Sequence, residues 1–228
     1  KILVTGGAGF IGSNLVPELK KRGHEVWVCD LGHKEEPDYI RCDVSRFRQL
    51  GEVFEGRDFD YVYHLAAEYG RWNGEDFYEN LWTTNVIGTK NIIRMQEQKR
   101  FRLIFFSSAE VYGDYDGIMS EDVMDKVPIK QMNDYAMTTW VGELQVLNSA
   151  AMFSTESVRV RPVNAYGPHE HYSSYRGVIP AFIYKALHDQ PYTVYLGHKR
   201  IFDYVEDTCR TLSNIVDNFK PGEVYNIG

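Results

Sequence analysis

The sequence predicts an α/β fold built on a doubly wound parallel sheet with a small C-terminal substrate region, and three observations carry that prediction. Short β-branched runs alternate with helical patterns along most of the chain. The first of these runs passes directly into a glycine-rich turn, "TGGAGFIGSN". The second, "HEVWVCD", ends on the carboxylate of Asp30.

Bulk properties set the class. Hydrophobic residues make up 43% and charged residues 25% of 228 residues, the mix of an ordinary globular protein rather than a disordered one. A formal net charge of -7 argues against nucleic acid or an anionic membrane as the main partner. Cys29, Cys42 and Cys209 contain no CxxC pair, so they read as reduced thiols of a cytoplasmic protein, not as a disulfide frame or a metal site. The apolar runs are too short to span a bilayer.

Taken in order, "KILVTG", "HEVWVCD", "DYVYHLAA", "FRLIFFSSA" and "ESVRVRPVN" read as strands. Helical patterns lie near Ser13 to Arg22, Phe47 to Phe54, Phe77 to Gln98, Asp134 to Met152 and Pro180 to His188. The expected division is a dinucleotide-binding Rossmann-like domain over 1–163 and a substrate region over 164–228, interleaved with the last strands. The chain opens inside a strand and closes on "VYNIG", another strand. It is therefore expected to be a nearly complete or truncated portion of a longer protein.

The glycine turn carries the first chemistry. Gly6, Gly9 and Gly12 fit GxxGxxG, and Gly7, Gly9 and Gly12 also fit GxGxxG. Without Cβ atoms the backbone turns tightly and lets a pyrophosphate reach the helix N-terminus, where free N–H groups and the dipole favour anions. Asp30 would accept hydrogen bonds from both adenosine ribose hydroxyls and repel a 2′-phosphate, which favours NAD over NADP. The alternative is a solvated turn aspartate, and the neighbouring His33 and Lys34 keep NADP open.

Ligands of open α/β sheets sit beyond the carboxyl ends of the strands. "FFSSAEVYG" places Ser107, Ser108 and Glu110 there, where a hydroxyl can bond a substrate oxygen and a carboxylate can take a proton from carbon. Capping by serine is the alternative use. On the pattern Phe77 to Gln98, the residues Leu81, Asn85, Gly88, Ile92 and Met95 share one face. Asn85 would therefore point inward and need hydrogen-bond partners. Gly88 would let its helix lie close to the sheet.

Together these residues resemble the extended short-chain dehydrogenase/reductases, specifically the NAD-dependent nucleotide-sugar epimerases, dehydratases and decarboxylases. The resemblance rests on "TGGAGFIG", Asp30, "CDV", "HLAA", "NVIGT", "SSAEVYG", "YAMT", "RPVNAYGP" and "RIFDYVEDT", which follow in order over nearly the whole chain. It implies that Gly6, Gly9, Phe10, Ile11 and Gly12 hold the NAD pyrophosphate, with Asp30 on the ribose. Asp43 and Val44 would border the adenine, and Leu65, Ala66, Ala67 and Asn85 would line the cofactor path. Ser108 and Tyr135 would form the hydride-transfer pair. Arg71, Asn164, Val178 and Arg200 would meet a nucleotide-diphosphate sugar. For Arg200 the alternative is a surface cation; for Arg71 and the adjoining Trp72 it is an exposed charge and a packing aromatic. A homodimer paired through the helices around Thr84 and Trp140 is also implied.

Two positions refine this expectation. Glu110 favours a dehydratase or decarboxylase working through a 4-keto sugar over a 4-epimerase, and Ala109 stands where dehydratases carry a second acid. Thr139 stands where the family has lysine, four residues after Tyr135. A free tyrosine has a pKa of about 10, and a cation one turn away would stabilise its anion. Threonine supplies a hydroxyl and no charge. The sequence therefore predicts an impaired enzyme, with a catalytically silent NAD or nucleotide-sugar binding protein as the rival reading.

Overall fold

The computed structural model describes residues 1–197 and 199–228. Strand β1 (Ile2–Thr5) is wholly buried and ends at the glycine turn, from which helix α1 (Phe10–Lys21) departs. Strands β2 (Val26–Asp30) and β3 (Tyr39–Arg41), helix α2 (Phe47–Phe54) and strand β4 (Tyr61–His64) follow. Next come α3 (Arg71–Asp76), α4 (Tyr78–Trp82), a π-helical segment (Thr83–Gly88), α5 (Thr89–Lys99) and β5 (Arg102–Phe106). A 3-10 turn (Ala109–Tyr112) leads to α6 (Val123–Lys126), the long helix α7 (Asp134–Phe153), β6 (Ser157–Pro162) and β7 (Asn164–Tyr166). The chain continues through α8 (Val178–Leu187), β8 (Phe202–Tyr204), α9 (Val205–Ser213) and β9 (Val224–Ile227).

The main sheet has seven strands in the order β3-β2-β1-β4-β5-β6-β9, every neighbouring pair parallel. Right-handed crossovers through helices are the usual way to make such pairs, and they leave an apolar layer on each face. One core gathers Ile2, Val4, Leu15, Tyr63, Ile104, Val158 and Leu212; the other gathers Leu3, Val53, Phe54, Val62, Ile92 and Leu103. Residues 164–228 contribute β9 to this sheet and pair β7 with β8 in a separate two-stranded sheet.

The structure alters the expected elements in three places. Tyr39–Arg41 forms an edge strand that its short, polar sequence does not announce, so "FRLIFF" is the fifth strand and not the fourth. Helix α1 starts at Phe10 rather than Ser13, because the glycine turn runs straight into the first helical turn. The pattern Phe77 to Gln98 is not one α-helix. A π-helical stretch interrupts it around Asn85, where three side-chain hydrogen bonds fix that amide. Gly88 does make a close approach, but to the loop after β3: a Cβ there would lie 2.8 Å from Val44 Cγ2.

Candidate active site

Strand order reverses between β1 and β4, whose neighbours run outward in opposite directions. Ligands of open sheets bind at such a switch point. Here the two loops touch. Gly6 has φ +69°, and a Cβ on it would lie 2.7 Å from the Ala66 nitrogen; one on Gly12 would lie 2.5 Å from Gly7 Cα. Only glycine fits at either position, and the first turn of α1 presents its free N–H groups into the crevice. Phe10 is buried in the core, so its backbone, not its ring, faces that crevice.

Asp30 stands at the end of β2 beside this loop. One carboxylate oxygen accepts from the Ala8 N–H at 2.9 Å and the other from Leu31 N–H at 2.7 Å. That leaves each oxygen with acceptor capacity for a further hydroxyl. Asp43 spends one oxygen on Ser45, accepting from its N–H at 2.9 Å and its hydroxyl at 2.7 Å. Val44 is buried in the core beneath. Leu65 and Ala66 are half-buried and Ala67 is exposed along the loop leaving β4. The Thr5 hydroxyl steadies that loop by accepting from Ala66 N–H at 3.2 Å. A glycine cradle, a helix N-terminus and a carboxylate with free acceptor sites fit a dinucleotide.

The reacting end lies where β5 leaves the sheet. Ser108 caps the 3-10 turn, accepting from Glu110 N–H at 3.2 Å, so the capping alternative holds for one lone pair while the hydroxyl also hydrogen-bonds the Tyr135 phenol. Glu110 is exposed on this turn. Tyr135, in the first turn of α7, is half-buried between them and Thr139. Burial pushes the Tyr135 phenol above the usual tyrosine value; a hydrogen bond with Ser108 pulls it down, the Glu110 carboxylate pushes it up again, and Thr139 pulls it down. The balance is upward. The Thr139 hydroxyl also reaches the Tyr135 carbonyl at 2.8 Å, so it is shared between the backbone and the phenol and brings no charge to either.

Ser107 differs from its neighbour. It is buried and donates to Glu143 on the inner face of α7, which removes it from substrate contact. Asn85 is buried as expected, but both amide hydrogens are spent. One goes to the Glu68 carbonyl at 3.0 Å and one to Thr138 Oγ1 at 3.1 Å, while its oxygen accepts from Glu68 N–H at 2.8 Å. These bonds tie the loop after β4 to α7, with Asn85 beside the expected cofactor path.

The expected sugar-side residues are more scattered. Arg71 is exposed and lies over the Trp72 ring at 5.3 Å. Val178 begins α8, and Asn164 donates to the Ile201 carbonyl at 3.2 Å beside the exposed Arg200. No hydrogen bond or ion pair among the described residues joins Arg71, Val178 or Arg200 to the Tyr135 centre. A contact not foreseen comes from the loop before α8: the Tyr175 hydroxyl donates to Asp76 at 2.9 Å, and Arg176 lies over the Tyr69 ring at 3.9 Å.

Two buried polar clusters also escaped the sequence reading. His64 bridges the Thr5 and Thr89 hydroxyls at 2.8 and 3.1 Å, and burial drives its pKa down to about 4, so it is neutral. Glu143 receives Arg161 Nε and Nη2 at 2.8 and 2.7 Å and Arg159 Nη1 at 3.1 Å. The signal for the second was present: "VRVRP" puts two arginines on one face of an apolar strand, and Glu143 is two helical turns beyond Tyr135. Cys29, Cys42 and Cys209 are buried free thiols.

Comparison with known proteins places this geometry. The model of the NAD dependent epimerase/dehydratase family matches residues 2–228. A UDP-N-acetyl-alpha-D-glucosaminuronate decarboxylase from Bacillus cytotoxicus is 34% identical over all of this chain and 74% of its own length. A putative UDP-glucose 4-epimerase from Methanocaldococcus jannaschii is 30% identical over all of this chain and 76% of its own. Among solved structures, the Thermus thermophilus UDP-glucose 4-epimerase in complex with NAD superposes with a TM-score of 0.87 at 26% identity, covering all of this chain and 77% of that one. The chain belongs to the NAD dependent epimerase/dehydratase family, within the extended short-chain dehydrogenase/reductases, and its cofactor is NAD.

Proposed function

We propose that this protein is a nucleotide-sugar lyase, a decarboxylase or dehydratase acting through a 4-keto sugar. The observation that carries this reading is the convergence of a hydroxyl, a carboxylate and a phenol, Ser108, Glu110 and Tyr135, on one point at the sheet edge. Bound NAD would supply a hydride acceptor for the sugar C4 and, once reduced, a hydride donor for C4 after decarboxylation or for C6 after dehydration. Tyr135 takes the C4 hydroxyl proton, and Ser108, hydrogen-bonded to that phenol, turns its hydroxyl to the same sugar oxygen. The resulting ketone acidifies the neighbouring carbon. In dehydration Glu110, exposed on the 3-10 turn, would remove the C5 proton while the C6 hydroxyl departs with a proton as water, leaving a C5–C6 double bond. In decarboxylation the C5–carboxylate bond breaks, CO2 leaves, and C5 is reprotonated. The absence of a second acid at Ala109 favours the decarboxylase, because CO2 needs no proton to depart. The Bacillus cytotoxicus relative supports the same choice.

The glycine turn and Asp30 would bind the NAD pyrophosphate and ribose, and Asn164 and Arg200 the sugar-nucleotide phosphates. Exposed Trp82, Ile87, Leu144 and Leu147 form the apolar surface through which two copies would pair. A 4-epimerase is the second reading, supported by the Methanocaldococcus jannaschii relative. NMR analysis of products from UDP-glucuronate, UDP-N-acetylglucosaminuronate, UDP-glucose and dTDP-glucose separates them. Loss of CO2, or solvent deuterium at C5 with loss of water, is expected; inversion at C4 alone would overturn the lyase.

A further inference from the structure

The loop before α8 closes against one side of the reacting centre. Gly70, at φ +86°, meets this loop backbone to backbone, since a Cβ there would lie 3.5 Å from the Tyr175 carbonyl oxygen. Helix α3 runs from that contact to α7, where a Cβ on Gly74 would lie 3.7 Å from the Tyr135 nitrogen. Arg176 is half-buried on the same loop, its guanidinium 3.9 Å from the centre of the Tyr69 ring. Among the described residues, no hydrogen bond or ion pair takes any of its side-chain N–H groups. We propose that Arg176 recognises a carboxylate on C5 of the sugar, which makes nucleotide uronates the substrate class. The inference rests on the lyase reading of this site and names its substrate.

A half-buried guanidinium without acceptors is a charge waiting for a partner. The aromatic face of Tyr69 holds it from one side and leaves its edge, a planar fork of N–H donors, open to an anion. A carboxylate fills that fork with two parallel hydrogen bonds, whereas the hydroxymethyl group of a neutral hexose offers one oxygen and no charge. The carboxylates nearby are otherwise engaged. Glu68 accepts from Asn73 at 3.0 Å and Asp76 from Tyr175 at 2.9 Å. Glu170, on the same loop, feels Arg176 without pairing with it. Burial raises its carboxyl above the usual range, Arg176 draws it back, and the balance is upward. Its competition for the guanidinium is weakened accordingly. The grip acts on binding, because CO2 leaves uncharged and a pairing made in the ground state does not help the carbon–carbon bond break. Arg176 is therefore a specificity residue.

The test measures the affinities of UDP-glucuronate, UDP-glucose and UDP by calorimetry on NAD-loaded protein carrying Tyr135→Phe, which leaves the sugar unconsumed. UDP-glucuronate is expected to bind about tenfold or more tighter than UDP-glucose. Adding Arg176→Gln is expected to remove that difference and to leave UDP and UDP-glucose within about twofold of their parent values. Arg176→Lys, a point charge without the fork, is expected to keep part of the preference, and it serves as the readout if the glutamine variant fails to retain NAD. Equal affinities in the parent would overturn the proposal, and so would a preference that survives both substitutions. An equal loss for all three ligands would also overturn it, because it would put Arg176 on the diphosphate. A preference lost on substitution, with no CO2 released by the wild type, would support the recognition and overturn the decarboxylase. CO2 release with the preference untouched would do the reverse.

Discussion

Helix α7 carries two polar sites about two turns apart, and they are built in opposite ways. At Glu143 a fully buried carboxylate meets two guanidinium groups, so two positive charges face one negative charge and nearly every lone pair is used. Burial pulls the Arg161 guanidinium down, but the Glu143 carboxylate outweighs it and holds it above its usual value. Arg161 also donates to the Tyr112 hydroxyl at 2.8 Å, which in turn donates to Asn226 in β9 at 2.8 Å. This ties α7, the 3-10 turn and the sheet into one unit. Two turns earlier, about 12 Å along the axis, Tyr135 has hydroxyls and a carboxylate around it and, among the described residues, no cation acting on it. The helix spends its charge on position and leaves none for the phenol. The frame that aims Ser108, Glu110 and Tyr135 at one another is thus sound, while the electrostatic support for proton transfer is weak.

Breaking the lower site should have the largest effect. Glu143→Ala leaves two buried cations unpaired and is expected to cost about 3–5 kcal/mol of stability, read as a lowered denaturant midpoint. A change under about 1 kcal/mol would show that the cluster is ornamental.

Acid should sharpen the contrast from the other side. His64 has a folded pKa of about 4, below its unfolded value of about 6.5. Between those values the unfolded chain binds the proton that the folded chain refuses, so stability falls as pH drops from about 6.5 to about 4, by up to about 3 kcal/mol. The loss should be absent in His64→Asn, checked by unfolding at several pH values. An equal acid loss in both forms would place the titrating group elsewhere.

Much of this was legible in the sequence, for physical reasons that differ by region. The glycine turn and Asp30 were readable because backbone geometry there permits few residues and the spacing is local. The shared location of Ser108, Glu110 and Tyr135 could be read because each sits at a strand exit or a helix start, where motifs survive as short words. Asn85 was readable as inward-pointing but not as spent, because its partners Glu68 and Thr138 are fixed only by the tertiary fold. The same holds for Glu143 with Arg159 and Arg161, which lie 16 and 18 residues away. Edge strand β3 was missed because edge pairing needs no apolar pattern. The loop carrying Tyr175 and Arg176 reads as loop chemistry, and its docking on α3 and Tyr69 comes from contacts about a hundred residues apart.

The central claim is that an intact site is limited by one absent charge. The most direct test is the steady-state turnover of Thr139→Lys against the wild type, on whichever nucleotide sugar product analysis identifies. The account predicts at least a tenfold higher rate with the same product and unchanged NAD affinity, about 1.4 kcal/mol of transition-state stabilisation. Equal rates for the two forms would contradict it.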